Sequence, residues 1–259
     1  MNNAPVSAIA IRIAAPGTSK QDFLRRTEAL ADEELALPAS WGALSKIVLY
    51  IPNDGDRDVV KKMQLGFPPV CVLVRYEFSS DEARLQLFTN PEFNQLSKAF
   101  DSDPLSINTA FPVESTTYLD QPSVLSSGTT TTGFTIMNIP TPSDDFAGLA
   151  QSAADFHQKL KPFIEELLAI PEVQRGLTKY QVWQMSRIHR FPSRDMVESR
   201  GNGVLTRNQS TVIVMSEAAD FTEIARSPAI LDIANKFRET MPAFESMGFG
   251  ADVVVRNRD

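Results

Sequence analysis

The chain has 259 residues, of which 42% are hydrophobic and 22% charged, with a formal net charge of −7. That length buries a core without staples, and the acidic balance argues against nucleic acid or an anionic membrane as the main partner, because both reward clustered cations. A lone cysteine, Cys71, excludes an internal disulfide and a cysteine-based metal cluster, and two histidines argue against zinc, which takes three or four N or S ligands.

The elements follow in chain order. Val6 to Ala14 reads as a strand and Pro16-Gly17 stops it. Ser19 to Leu37 is a helix with Phe23, Thr27 and Leu30 on one face, ended by Pro38. Lys46 to Ile51 is a second strand and Val70 to Phe78 a third. The row Val70, Val72, Val74, Tyr76, Phe78 makes one wholly apolar face, leaving Arg75 and Glu77 on the other. Ser79 opens a capping box with Glu82. Asn90-Pro91 starts a further helix, which reaches Phe100, and Thr109 to Leu119 is a fourth strand. Gln121 to Thr132 is small, polar and aperiodic, and reads as a linker.

The order then recurs. Phe134 to Ile139 is a strand, Asp144 to Ala169 a helix with a potential kink at Pro162, and Lys179 to Met185 and Thr211 to Met215 are strands. Asp220 to Met241 is helical and Ala251 to Val255 is the last strand. A shift of 137 positions lays the segment 74–100 over 211–237 without a gap, Asn90-Pro91 falling on Ser227-Pro228. A period of that size is a domain duplication. The expected organisation is a first half at 1–120, a linker at 121–132 and a second half at 133–259. Each half reads β-α-β-β-α-β, the ferredoxin-like arrangement. An apolar sheet face must be covered, so the expected fold is α+β, with the two halves closing face to face into one intramolecular α/β barrel. The N-terminal stretch reads as a strand rather than a leader, and no run approaches the length of a membrane span. The expectation is a soluble, cytoplasmic protein, monomeric or homodimeric.

Candidate site residues come from the same pattern. On a helical wheel, Phe146, Ala150, Ala153, Phe156, Leu160 and Ile164 share a face, and His157 falls near its middle. A histidine there is either a satisfied core residue or a general acid/base aimed at the helix–sheet space. On the next strand, alternation places Tyr180 and Gln184 on one face and Trp183 on the other, as core filling or as the lining for an apolar ligand. Tyr50 is treated in the same way. Arg75 is either an ion-pair partner of Glu77 or a ligand clamp. Arg187, Arg190, Arg194, Arg200 and Arg207, with His189, crowd one loop region. They are either a solvated loop or a cationic lid for an acidic substrate.

Two ferredoxin-like halves in one chain resemble the dimeric α/β-barrel superfamily in tandem-duplicated form. The second half resembles its EthD group through Asp145-Phe146, His157 and Tyr180. The first half has Asp22-Phe23 but acidic residues, Asp32, Glu33 and Glu34, in place of the histidine. The resemblance implies a cofactor-independent lyase, cyclase or isomerase acting on an apolar polyketide-like or aromatic small molecule of secondary metabolism. On this reading His157 and Tyr180 are catalytic, and the residue pattern above adds Trp183, Gln184, His189, Arg187, Arg190, Arg75 and Tyr50 as contacts to the substrate, the arginines suiting one that carries an acidic group. No metal or cofactor is expected. The alternatives are a haem protein with His157 as axial ligand, and a non-catalytic small-molecule-binding or stress-response module.

Overall fold

A computed structural model of the chain describes residues 5–102, 106–121, 130–143, 145–189 and 209–258. Its strands are β1 (Val6–Ala14), β2 (Leu44–Asn53), β3 (Cys71–Phe78), β4 (Ser106–Asp120), β5 (Thr131–Pro140), β6 (Leu177–Met185), β7 (Gln209–Ala218) and β8 (Glu245–Asn257). They form a closed antiparallel barrel in the order β1-β3-β2-β8-β5-β7-β6-β4. The expected α+β barrel built from two halves is therefore present. The halves join along both sheet edges, β2 on β8 and β4 on β6. Among the described strands, closure leaves no edge open to pair with another chain.

The larger helices lie outside the barrel. They are α1 (Lys20–Ala36), α2 (Arg57–Lys62), α3 (Asp81–Thr89), α4 (Pro91–Ser102), α5 (Phe146–Leu168), α6 (Pro171–Gly176), α7 (Phe221–Ile224) and α8 (Pro228–Thr240). The expected helix over 220–241 is two helices. Pro228 lacks an N–H and pushes Ser227 into extended backbone, so α8 restarts at the proline. The same break separates α3 from α4, where Asn90 caps the new helix by accepting from the Glu92 and Phe93 amides. The capping residue of α3 is Ser80, not Ser79. Ser80 Oγ accepts from the Ala83 amide, while Ser79 Oγ donates to the Gly42 carbonyl.

The two faces of β3 are exchanged relative to the expectation. Val72, Val74, Tyr76 and Phe78 pack under α1, α3 and α4 with Phe23, Leu30, Leu87 and Phe93. Arg75 and Leu73 look into the barrel, where Ile9, Tyr50, Phe134 and Trp183 fill the interior. Alternation tells which residues share a face. Which face receives the helices depends on the crossover, which alternation does not encode.

The repeat is visible in the registers. β2 meets β3 with a bulge between Leu44 and Lys46, and β6 meets β7 with a bulge between Leu177 and Lys179. This pairs Phe78 with Leu44 as Ala218 is paired with Leu177. Tyr76 thus corresponds to Ser216, whereas Pro91 corresponds to Pro228. The gapless shift holds for the helix but not for the strand, because α7 is shorter than α3. Of the expected linker, Thr131 and Thr132 already belong to β5, and 122–129 lie outside the described residues.

The first half is fastened by a buried polar triad. Arg12 Nη2 donates to Glu34 Oε1 at 3.2 Å and to the Tyr76 hydroxyl at 2.5 Å, and that hydroxyl donates to Glu34 Oε2 at 3.0 Å. All three are almost completely buried.

Asp56, between β2 and α2, is less well served. Its Oδ2 is buried without a hydrogen-bond partner, and burial, then the charge of Asp220, raises its carboxyl above the usual range. A raised carboxyl favours folding most at low pH, and that contribution is lost as pH rises through the folded value. Asp56→Asn is therefore expected to stabilise the protein at pH 7, by up to about 1 kcal/mol for this half-exposed group. The gain should fade toward pH 3. Urea unfolding of both proteins at the two pH values checks it, and an equal gain at both would refute the ionisation argument.

Candidate active site

The second half positions its site through α5. Asp145 caps this helix by accepting from the Gly148 amide at 2.6 Å. Gly148 must be glycine, because a Cβ there would collide with the Ser143 side chain. Ala150, Ala153 and Ala154 are buried and small, so the helix lies close on β6 and β7. Ser210 Oγ ties the first turns down by donating to the Leu149 carbonyl. The helix runs on through Pro162.

His157 sits on this face, 5% exposed, between α5 and the outer surface of the barrel. Its Nδ1 lies 2.6 Å from Gln184 Oε1 on β6, and its Nε2 lies 2.8 Å from the Tyr118 hydroxyl on β4. A carbonyl oxygen only accepts, so Nδ1 carries the proton. In the neutral ring Nε2 is then the lone pair, and Tyr118 donates to it. Burial lowers the imidazole below its ordinary value; the Gln184 hydrogen bond opposes this and the Lys161 charge adds to it. Burial, then the charge of Glu165, raises the Tyr118 phenol. At neutral pH the pair is a neutral base behind a protonated phenol. Tyr118 is part-buried, so it is the member that faces outward.

Tyr118 sits at a β-bulge. On β4 the register passes from Thr117, opposite Gln181, to Leu119, opposite Tyr180. Tyr118 is the extra residue; Glu114 pairs with Gln184 and Thr116 with Val182, so alternation along β4 already sets Tyr118 on the Gln184 face. The corresponding seam, β2 on β8, is regular. Tyr118 comes from the first half of the chain, so the site is completed across the seam between halves.

The residues expected from sequence divide among three places. His157, Gln184 and Tyr180 share the space under α5. Tyr180 is buried there, and its phenol is pushed up by burial and by Tyr118. Trp183, Tyr50 and Arg75 lie instead inside the barrel. The Arg75 guanidinium is 5.3 Å from the Trp183 ring, donates to Ser7 Oγ at 3.3 Å, and is 3.4 Å from Glu77. Arg187 and His189 belong to the turn after β6. The Arg187 amide donates to Glu114 Oε1 at 2.7 Å, and His189 Nδ1 lies 2.8 Å from Ser186 Oγ. Arg190, Arg194, Arg200 and Arg207 lie outside the described residues. Tyr118 was missed: the sequence places it on a strand but does not say that this strand pairs with β6.

Among its described residues, the first half builds no copy of this site. The buried positions Thr27, Leu30, Ala31 and Glu34 of α1 repeat Ala150, Ala153, Ala154 and His157 of α5, so Glu34 stands in the histidine's place. By the matching strand registers, Gln184 and Tyr180 become Ile51 and Ile47. Arg256 of β8 closes the seam by pairing with Glu28 and Asp32 at 2.9 Å.

For an axial haem ligand, one imidazole nitrogen must face the iron. Here Gln184 takes one nitrogen and Tyr118 the other, so the residues present do not fit that role. Among the described residues, no group of three or more His, Cys, Asp or Glu is arranged to hold a metal ion, and no helix is long and apolar enough to cross a membrane.

No protein-family profile matches the sequence, and neither does any curated protein. Solved structures do share the fold. An anthrone oxidase-like protein superposes with a TM-score of 0.60 at 13% identity, over 98% of this chain and 93% of its own. A candidate monooxygenase from Fusobacterium nucleatum superposes with a TM-score of 0.52 at 8% identity, over 100% of this chain and 96% of its own. At such identities the likeness establishes the α/β-barrel architecture over the full length of the chain.

Proposed function

We propose that the protein is a small-molecule-processing enzyme that moves a proton on an apolar, enolisable aromatic substrate through the Tyr118–His157 pair. The observation that carries this reading is the buried neutral imidazole, locked on Nδ1 by Gln184 and presenting Nε2 through a part-exposed phenol. A substrate that meets the Tyr118 oxygen gives up its C–H or O–H proton there as the phenol passes its own proton to Nε2. The resulting enolate is held by the protonated pair. Cyclisation, dehydration, decarboxylation and isomerisation all pass through such a species. The EthD-like run of Asp145-Phe146, His157 and Tyr180 agrees with this reading, with Tyr118 rather than Tyr180 hydrogen-bonded to the histidine.

A second outcome for the same enolate is oxidation by O2. The names of the two similar structures, anthrone oxidase-like and monooxygenase, favour it. With anthrone as substrate, one O2 per molecule gives the quinone and one water.

The test separates the two. Anthrone in D2O under nitrogen, followed by NMR, is expected to exchange its methylene protons in proportion to enzyme concentration. Tyr118→Phe should slow the exchange by at least about tenfold, given the size of general acid–base contributions. Admitting air then shows whether quinone forms. Exchange that survives unchanged in both Tyr118→Phe and His157→Ala would overturn the assignment of the pair.

A further inference from the structure

Where β2 ends and β3 begins, the structure holds a cavity of about 190 Å3 away from His157. Lys20, Arg57, Phe67, Val70 and Phe249 line it, with Gly248 and Gly250 on its β8 side. The segment carrying Phe67 is pinned rather than loose. The Gly66 amide donates to the Ser246 carbonyl at 3.0 Å, the Gly248 amide to the Gly66 carbonyl at 2.9 Å, and the Ala14 amide to the Val70 carbonyl at 2.8 Å. The Arg238 guanidinium donates to the Met63 carbonyl.

On this fastened segment Phe67 is 47% exposed and Val70 39%, beside the ring-stiffened pair Pro68-Pro69. Large apolar groups held in water are costly, and a rigid aromatic loses little entropy when something covers it. Two cations stand over the cavity. The Arg57 guanidinium lies 4.9 Å from the Phe67 ring centre, and the Lys20 ammonium donates to the Pro52 carbonyl at 3.3 Å. The opposing carboxylate in the lining is Asp54, 85% exposed and only 3.5 Å from Arg57 at its nearest. So solvated a contact holds the guanidinium weakly.

We infer that this cavity binds a single-ring aromatic carboxylate, with the ring against Phe67 and Val70 and the carboxylate between Lys20 and Arg57. The size agrees: a dry cavity of about 150 Å3 accepts benzene, so this one has room for a ring with one small substituent. Neutral and cationic rings would have the same apolar contacts without the charge-assisted hydrogen bonds. The site is independent of the Tyr118–His157 pair.

The test is an amide NMR titration of the isotope-labelled protein with benzoate, benzamide and benzylammonium. Benzoate should shift the amides around 66–71 and 248–250 saturably, benzamide should bind about tenfold more weakly, and benzylammonium should not saturate. Loss of a charge-assisted hydrogen bond is worth about a factor of ten or more, so the Lys20→Ala/Arg57→Ala double variant should bind benzoate at least tenfold less tightly. Phe67→Ala should also weaken binding, and His157→Ala should leave it unchanged. These changes are at exposed positions, and unaltered amide shifts elsewhere would show that the fold is intact. Benzoate affinity indifferent to Phe67→Ala and to the double variant would overturn the inference. So would shifts that gather around His157 and Tyr118 instead.

Discussion

Turnover of the enolisable substrate is expected to fall about 10²- to 10⁴-fold in His157→Ala, the range a positioned general base contributes. The protein should still fold. Alanine leaves the Tyr118 hydroxyl free to reach water from its part-exposed place, while the Gln184 carbonyl oxygen loses its partner under α5. The pH profile gives a sharper reading. Burial lowers the imidazole below 6.5, so the base form persists below that pH and the acid limb of kcat/KM should lie under 6.5. The same shift affects stability. A depressed histidine favours folding above its unfolded value, and that contribution is lost as pH falls through the folded one. Gln184→Glu places a carboxylate on Nδ1–H, which favours the charged ring. Its acid limb should move upward. A limb that stays in place in Gln184→Glu would mean that His157 is not the titrating base.

The second large effect is on stability, in the half without the site. Glu34→Ala should cost about 3–5 kcal/mol, the range for breaking a buried ion pair by removing one partner. Arg12 and Glu34 are 3% and 1% exposed, so water does not screen the pair. The Tyr76 hydroxyl also loses the carboxylate it donates to. Urea unfolding of both proteins measures the difference. A loss under about 1 kcal/mol would mean the site admits water, as surface pairs do. Because Glu34 occupies the place of His157 in the other half, Glu34→His alone should not create activity there. Ile51 stands where Gln184 would orient the ring, and the residue that crosses the β2–β8 seam toward α1 is Arg256, not a phenol.

These two residues show what could be read from the linear chain. Buried helical positions recur every three or four residues, so α1 and α5 were visible with the faces they bury, and His157 was seen to point at the sheet. Strand alternation likewise put Gln184 with Tyr180 and separated Trp183 from them. The helix caps and the proline starts revealed the repeat. Where α7 is shorter than α3, a gapless shift follows the helix and mispairs the strand, since nothing in the composition fixes where the missing residues fall. The stretch from Glu245 to Gly250, lightened by two glycines, carried too weak a strand signal to extend β8 to its full length.

Sequence alone determined the duplication, the α+β barrel class, the helix face that carries His157 and the strand face that carries Gln184. These depend on local periods of two and 3.6 residues and on cap chemistry, which neighbours along the chain decide. Tertiary structure alone decided which face of β3 meets the helices, and so sent Arg75, Tyr50 and Trp183 into the barrel rather than to His157. It also decided that Tyr118, from the other half, completes the site. Both depend on how distant strands pair across a closed barrel. No local pattern records that β4 of one half will lie beside β6 of the other.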